Sequence, residues 1–573
     1  MCGIVGIVSK EDFSSEELLM MLKKLEYRGY DSAGIAMSGS KLYMEKSVGK
    51  ISELEKKLDG KITGKAGIAH TRWATTGSVT QLNAHPHADC KNNIAVVHNG
   101  IVENYLKLKK MLVTKGHKFK SDTDTEVIAH LLEDHSPEDV MKTIEGRNAF
   151  LAMYNGRIVA VKNGSPLAIG IAKDRYYIAS DALPFLEKTR DVIFLDDGDI
   201  AEIDEKGVKF CGEQHEPQRI DWDVEEAKKG TYAHFLIKEI MDQPAAIENA
   251  ATQNDEKIRE ISGMINNSFG SFFIACGTAS HAALSASYFF SGIAKKHINF
   301  SVGSEFPLQK HFLTDRSLII AISQSGETAD TLEAIKAAKG ENAKVVSIVN
   351  VPGSTLMRQS EYSLLTNAGP EIAVCSTKAF TSQLSVSLLL AYAATGRLDE
   401  GKKLLKETSK KVKEMLTDAY LMKIKSLAGK IADKEHIYII GKGFNYPIAL
   451  EAALKIKEVA YMHAEGFASG ELKHGVLALI EKGVPCIAIV ADDETKQDVI
   501  NGAAEIKLRG GYIIGISPDN NDIFDFWIQV PDAGNASPIV NVIPSQLLAY
   551  YLALERGCDP DYCRNLAKSC TVK

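Results

Sequence analysis

Beyond residue 270 the chain writes one strand–turn–helix pattern twice, and this repetition constrains its fold more than any other feature. An apolar run at 272–275 meets Cys276-Gly277-Thr278, and another at 318–322 feeds Ser323-Gln324-Ser325-Gly326-Glu327-Thr328. Further on, 437–440 meets Gly441-Lys442-Gly443, and 487–490 feeds Ala491-Asp492-Asp493-Glu494-Thr495. In each copy the two turns stand roughly fifty residues apart, before a helical stretch and another strand at 345–349 or 512–516. Short apolar strands alternating with amphipathic stretches predict parallel sheets layered with helices. Two related α/β units are expected, over 231–400 and 401–560.

The first 205 residues have a different texture. Short β-rich runs (94–98, 149–154, 157–162 and 176–179) surround helical stretches at 15–25 and 124–132. From 205 to 230 the composition turns polar, including Glu213-Gln214-His215-Glu216-Pro217, which marks 213–230 as the linker. At 573 residues the chain exceeds a single hydrophobic core. A net charge of −7 without a basic stripe excludes a nucleic-acid footprint. Apolar runs such as 388–394 are too short to cross a bilayer, and no signal-peptide pattern opens the chain. Nine cysteines without paired spacing suit a reducing compartment, so a cytoplasmic, non-membrane protein is expected.

Cys2 follows the initiator methionine in Met1-Cys2-Gly3-Ile4-Val5-Gly6. Removal of Met1 would leave a thiol beside a free α-amine, whose ordinary pKa of about 8 suits it as general base. Three clusters complement such a nucleophile acting on an amide. Arg72, in His70-Thr71-Arg72-Trp73-Ala74-Thr75, offers a fork for a carboxylate. Asn99 and Gly100 offer a side-chain amide and a backbone N–H to an oxyanion. Asp124 offers a carboxylate to an α-ammonium group. Each alone is more often a turn, a surface pair or a helix cap. Together with Leu25-Glu26-Tyr27-Arg28-Gly29-Tyr30-Asp31-Ser32, they resemble the class II glutamine amidotransferases.

That resemblance implies a layered αββα N-terminal-nucleophile glutaminase domain, an α+β fold, over 1–212. It makes Cys2 the nucleophile and Asn99 with Gly100 the oxyanion hole. Arg72 and Thr75 would hold the glutamine carboxylate, Asp124 its amino group, and Trp73 would gate an ammonia channel. Thr76 stands where relatives carry a histidine, which leaves one glutamine contact open.

Ser323–Thr328 follows a strand and precedes a helix, a setting where backbone N–H groups and hydroxyls meet a phosphate. The matching loop of the second copy is acidic and would repel one. No Gly-x4-Gly-Lys-Ser/Thr occurs, so nucleoside triphosphate chemistry is not expected. With Ser376-Thr377-Lys378-Ala379-Phe380, Gly470–Gly475 and Arg564–Ser569, this half resembles the sugar isomerase (SIS) domains. In tandem they match the isomerase portion of enzymes that aminate a ketose phosphate.

The resemblance implies L-glutamine and fructose 6-phosphate as substrates, no cofactor, and at least a homodimer. It points to Ser323, Gln324, Ser325 and Thr328 for the phosphate, and to Thr278 and Ser376 for sugar or phosphate. Glu458, with Lys455 as charged neighbour, would be the isomerising base. His474, donated across subunits, would open the ring, and Lys568 would form a Schiff base. Residues 561–573 would close over the sugar as a lid. Ala279 replaces a serine common in relatives. Another phosphosugar acceptor, or a sugar-phosphate-sensing regulator, stays open as an alternative. His85-Pro86-His87-Ala88-Asp89-Cys90 offers possible metal ligands, but no second ligand pair completes a tetrahedral set, so no metal is expected.

Overall fold

The computed structural model describes residues 2–58, 62–220 and 227–571. Two antiparallel sheets build the N-terminal part. The first has eight strands, with Gly3–Ser14 between Arg175–Ala179 and Thr63–Arg72. The second has six, with Asn148–Tyr154 between Arg157–Asn163 and Ala95–Gly100.

Strand alternation explains why they stack. Ile4 and Val8 point into a core shared with Val97, Leu151 and Ile158 of the other sheet. Val5 and Ile7 point outward onto the helix Ser15–Lys23. On the far side Val96, Phe150 and Val159 pack against the helices Tyr105–Thr114 and Glu126–Leu131. Each central strand is therefore buried on both faces and reads as a continuous apolar run. The result is a four-layer helix–sheet–sheet–helix arrangement.

The polar stretch from 205 to 230 is partly sheet. Gly207–Phe210 forms a hairpin with Ile200–Asp204, and Gln218–Arg219 pairs with Asp191–Val192. His215 is tied to Asp199 at 2.9 Å. Positions 221–226 of that stretch lie outside the described residues.

The repeat becomes two five-stranded parallel sheets of equal topology. One orders Asn299–Val302, Phe272–Ala275, Leu318–Ser323, Lys344–Val349 and Tyr362–Leu365. The other orders His463–Ala468, His436–Gly441, Pro485–Ile489, Tyr512–Ser517 and Phe526–Gln529. In both, the first strand in sequence lies between the second and third. Such an order reverses direction at one point, and ligands of open α/β sheets bind at the strand ends there.

One large core joins the units. The helix Lys378–Ala393 is buried along almost its whole length, and Tyr446–Ala460 packs on Thr278–Ala294. The stretch Gly534–Glu555 is long and apolar enough for a membrane span by length and composition, but it is mostly buried in this core.

Candidate active sites

The pairing of Gly3 with Thr71 sets Cys2 beside the end of the Thr63–Arg72 strand. The Trp73 N–H donates to the Cys2 sulfur at 3.2 Å, and the thiol faces the Trp73 carbonyl at 3.4 Å. Burial pushes the thiol pKa up, against the Trp73 N–H and the Arg72 charge, which favour the thiolate. Met1 lies outside the described residues.

Asn99 Nδ2 donates to the Cys2 carbonyl at 3.0 Å, and Asn99 Oδ1 meets His70 Nε2 at 3.1 Å. The amide therefore presents its N–H groups to Cys2 only while His70 carries its proton on Nε2. Burial lowers the His70 pKa to about 3, so the ring stays neutral near pH 7. Gly100 has φ +131°, and a Cβ there would lie 2.0 Å from the Arg147 carbonyl oxygen, so only glycine fits.

Asp124 is buried and accepts the Val102 N–H at 2.8 Å, just past Gly100. The Arg72 guanidinium donates to the carbonyls of Thr76 (2.5 Å) and Gly77 (3.1 Å), shaping the loop that follows Trp73. Thr75 on that loop is exposed. Cys2, Arg72, Trp73, Asn99, Gly100 and Asp124 thus gather around one thiol, with Thr75 at the rim.

The second site lies at the reversal point of the first parallel sheet. One cavity is lined by Thr278, Ala279, Ser323, Gln324, Ser325, Thr328, Ser376, Glu458 and Lys568. The Gly326 N–H donates to Ser323 Oγ at 3.0 Å, with Gly326 at φ +66°. Thr328 stands at the N-cap position of the helix Ala329–Gly340. In the second unit the matching loop is closed on itself: Asp493 accepts from Thr495 N (2.8 Å) and Oγ1 (2.6 Å).

Lys455 is fully buried and reaches three partners: Thr278 Oγ1 at 2.7 Å, Glu458 at 2.7 Å and Glu451 at 3.2 Å. Burial opposes its charge, but Cys375 and those two carboxylates hold its pKa well above the ordinary lysine range. Lys568 Nζ donates to Glu371 Oε2 at 2.6 Å. Glu371 also accepts from Ser376 Oγ and from the Thr377 and Ala379 N–H groups at the start of the Lys378–Ala393 helix. Burial pushes Glu371 up, but Lys568 and those N–H donors leave it below the usual carboxylate range. The neighbouring Glu239 goes the other way: burial raises it to about 8.

Two sugar-site candidates do not line the cavity: Lys455, which touches its Thr278 and Glu458, and His474. His474 ends an exposed 3-10 turn, Ser469–His474. Glu371, Glu239, Glu451 and His70 were missed from sequence. Glu451 alone left a signal, standing four residues before Lys455 on one helix face. The distant partners of the others, Lys568 of Glu371, Ile372 and Ala373 of Glu239, and Asn99 of His70, are brought to them only by the fold.

The C-terminal tail touches both sites. Ser569 Oγ meets Ser325 Oγ at 2.8 Å, and the Cys570 carbonyl accepts the Ala329 N–H at 2.8 Å. Tyr30 Oη donates to the Cys563 carbonyl at 3.0 Å, and the Tyr30 ring packs edge-on against Trp73 and Tyr562. Arg147 donates to the Thr571 carbonyl at 3.0 Å. A second cavity, lined by Tyr27, Arg28 and Asp181 on one side, reaches Gln324, Ser325 and Lys568 on the other.

A cysteine–amide site in layered antiparallel sheets, joined to two parallel-sheet units, defines the class. Residues 70–187 match the description "Glutamine amidotransferase domain", and residues 264–393 and 430–556 each match "SIS domain". The chain is 41% identical, over all of both chains, to glutamine–fructose-6-phosphate aminotransferase [isomerizing] of Methanothermobacter thermautotrophicus. It is 43% identical, again over all of both chains, to that of Thermococcus kodakarensis. Among solved structures, the C-terminal domain of glucosamine-fructose-6-phosphate aminotransferase from Francisella tularensis is 35% identical. It covers 58% of this chain and 99% of its own, with a TM-score of 0.54. The chain belongs to the glutamine–fructose-6-phosphate aminotransferase (isomerizing) family.

Proposed function

We propose that the chain makes glucosamine 6-phosphate from L-glutamine and fructose 6-phosphate. The observation that carries this reading is the cavity uniting Ser323–Thr328, Glu458 and Lys568, with the tail that joins it to the cysteine site.

In the first half-reaction Cys2 Sγ attacks the glutamine side-chain carbonyl carbon. Asn99 Nδ2 and the Gly100 N–H receive the developing oxyanion. Ammonia leaves, and water hydrolyses the thioester to glutamate. Arg72 and Thr75 hold the substrate carboxylate, and Asp124 its ammonium group. Trp73, in edge contact with Tyr30, gates passage of ammonia toward the sugar site.

In the second half-reaction Ser323, Gln324, Ser325 and Thr328 hold the phosphate, with Thr278 and Ser376 on the sugar. His474 opens the ring, and Lys568 Nζ forms an imine at C2 with loss of water. Ammonia displaces the lysine amine. Glu458 takes the proton from C1 and returns it to C2, leaving an aldehyde at C1 and an amine at C2. Lys455 fixes Glu458 and balances its charge.

The protein acts as a cytoplasmic homodimer in which His474 serves the partner subunit's site. Exposure of His474 and nine free thiols support these assignments.

The direct test supplies glutamine and fructose 6-phosphate and measures glutamate and amino sugar separately. Glutamate without amino sugar would move the acceptor to another phosphosugar. Borohydride with fructose 6-phosphate should label Lys568; a label elsewhere displaces it. Mixing Lys568→Met and His474→Ala subunits should restore part of the activity, and no restoration argues against a shared site.

A further inference from the structure

Cys90, set aside in sequence for want of further ligands, finds three in the folded protein. It sits in the turn between the strands His87–Ala88 and Ala95–Gly100. His117 follows the helix Tyr105–Thr114, and His130 and Glu133 come from the last turn and end of the helix Glu126–Leu131. Cys90 Sγ lies 3.5 Å from His130 Nδ1 and 3.8 Å from His117 Nδ1. Glu133 Oε1 lies 2.8 Å from His130 Nδ1 and 3.1 Å from His117 Nδ1. All four atoms fall within 4.8 Å of one another.

These separations are close to the edges of a coordination tetrahedron. Zinc bonds of about 2.3 Å to sulfur and 2.0–2.1 Å to nitrogen or oxygen give edges of about 3.5 Å and 3.3 Å. Outer contacts also take the form metal sites use. His130 Nε2 faces Glu126 Oε1 and His117 Nε2 faces Asp134 Oδ2, each at 3.6 Å. Such carboxylates fix a ligand histidine's tautomer. Glu126 is itself held by the Lys120 and Ser121 N–H groups, and the Lys118 N–H points at the Cys90 sulfur.

The hydrogen-bond inventory makes the same point. To hydrogen-bond Glu133 Oε1, both rings must carry the proton on Nδ1, which turns a bare Nε2 on each toward a carboxylate at 3.6 Å and leaves His130 Nε2 buried without a hydrogen-bond partner. A divalent cation removes the conflict. It takes both Nδ1 lone pairs, leaves both Nε2–H groups on carboxylates, and is neutralised by one thiolate and one carboxylate.

We propose that Cys90, His117, His130 and Glu133 form a closed, structural site for a divalent cation of the zinc class. The ion would pin the Glu126–Leu131 helix to two loops. Asp124 lies two residues before that helix, so the site would stiffen one wall of the glutamine pocket without touching substrate.

The test uses the full chain, freed of metal by a chelator and titrated with Co2+, then with Zn2+ against a chromophoric chelator. One Co2+ per chain should give tetrahedral ligand-field absorption with a thiolate-to-cobalt charge-transfer band, displaced by Zn2+. The band should survive Cys2→Ala and vanish in Cys90→Ser. Asp134→Asn, a surface change that leaves all four ligands in place, should weaken Zn2+ binding about tenfold. Absence of the band, its persistence in Cys90→Ser, its loss with Cys2, or unchanged affinity in Asp134→Asn overturns the site.

Discussion

His70 carries a consequence for the cysteine site that its neighbours do not. It touches Asn99 rather than Cys2, and stacks on His85 with centroids 4.2 Å apart. In the proposed reaction it would hold the Asn99 amide in the orientation that offers N–H groups to an oxyanion. Replacing it with glutamine should lower glutaminase kcat about tenfold with little change in KM. Because burial keeps the ring neutral, with a pKa of about 3, the wild-type rate should show no step assignable to His70 between pH 6 and 8. A rate unchanged in His70→Gln would remove it from that role. Cys2→Ala should cost glutamine hydrolysis roughly 10^4-fold or more, the scale seen when a covalent nucleophile is lost. Comparison of hydrolysis rates in the two variants separates the positioning residue from the nucleophile. Cys2, Asn99 and Arg72 stand in recognisable motifs, which is why the sequence points to them as candidates. His70 was read only as part of a motif, because its hydrogen bond crosses between strands of different sheets.

At the scale of elements, glycine and buried charge decide what can change. Gly100→Ala meets both a left-handed backbone and the Arg147 carbonyl, and should cost about 2 kcal/mol or more, read from denaturant midpoints. Glu239 tests the buried charge beside the Lys378–Ala393 helix. Its folded pKa of about 8 exceeds its ordinary value of about 4.3. The folded state therefore binds this proton more tightly, which favours folding at low pH and is lost as pH rises toward 8. Glu239→Gln keeps an acceptor for the Ile372 and Ala373 N–H groups and removes the charge. Its Tm relative to wild type should rise between pH 5 and pH 8.5; an offset constant over that range would refute the sign. The repeated strands and their turns were readable from apolar runs of four to six residues bounded by glycine and serine. The hairpin at Gly207–Phe210 was not, because its strand is short, polar and half exposed, and only pairing with Ile200–Asp204 makes it sheet.

Across the whole molecule, the tail decides whether two sites act as one. Removing residues after Cys563 deletes Lys568 and the contacts of Ser569, Cys570 and Thr571, but leaves Asp561 capping the Phe235–Met241 helix. Glutamate production should persist while amino sugar falls to background; loss of both would mean that the tail also holds the cysteine site together. The sequence by itself determined the family and the repeat, because the N-terminal cysteine motif, the Ser323–Thr328 loop and the strands are local patterns. Tertiary structure alone decided which charges face one another. Glu371 meets Lys568 across 197 residues and Thr278 meets Lys455 across 177, and Cys90 acquires two histidines and a carboxylate from distant segments. Periodicity records which face of an element is buried. Only the packing of one element on another records which buried polar group lies opposite, where an unpaired charge would cost several kcal/mol.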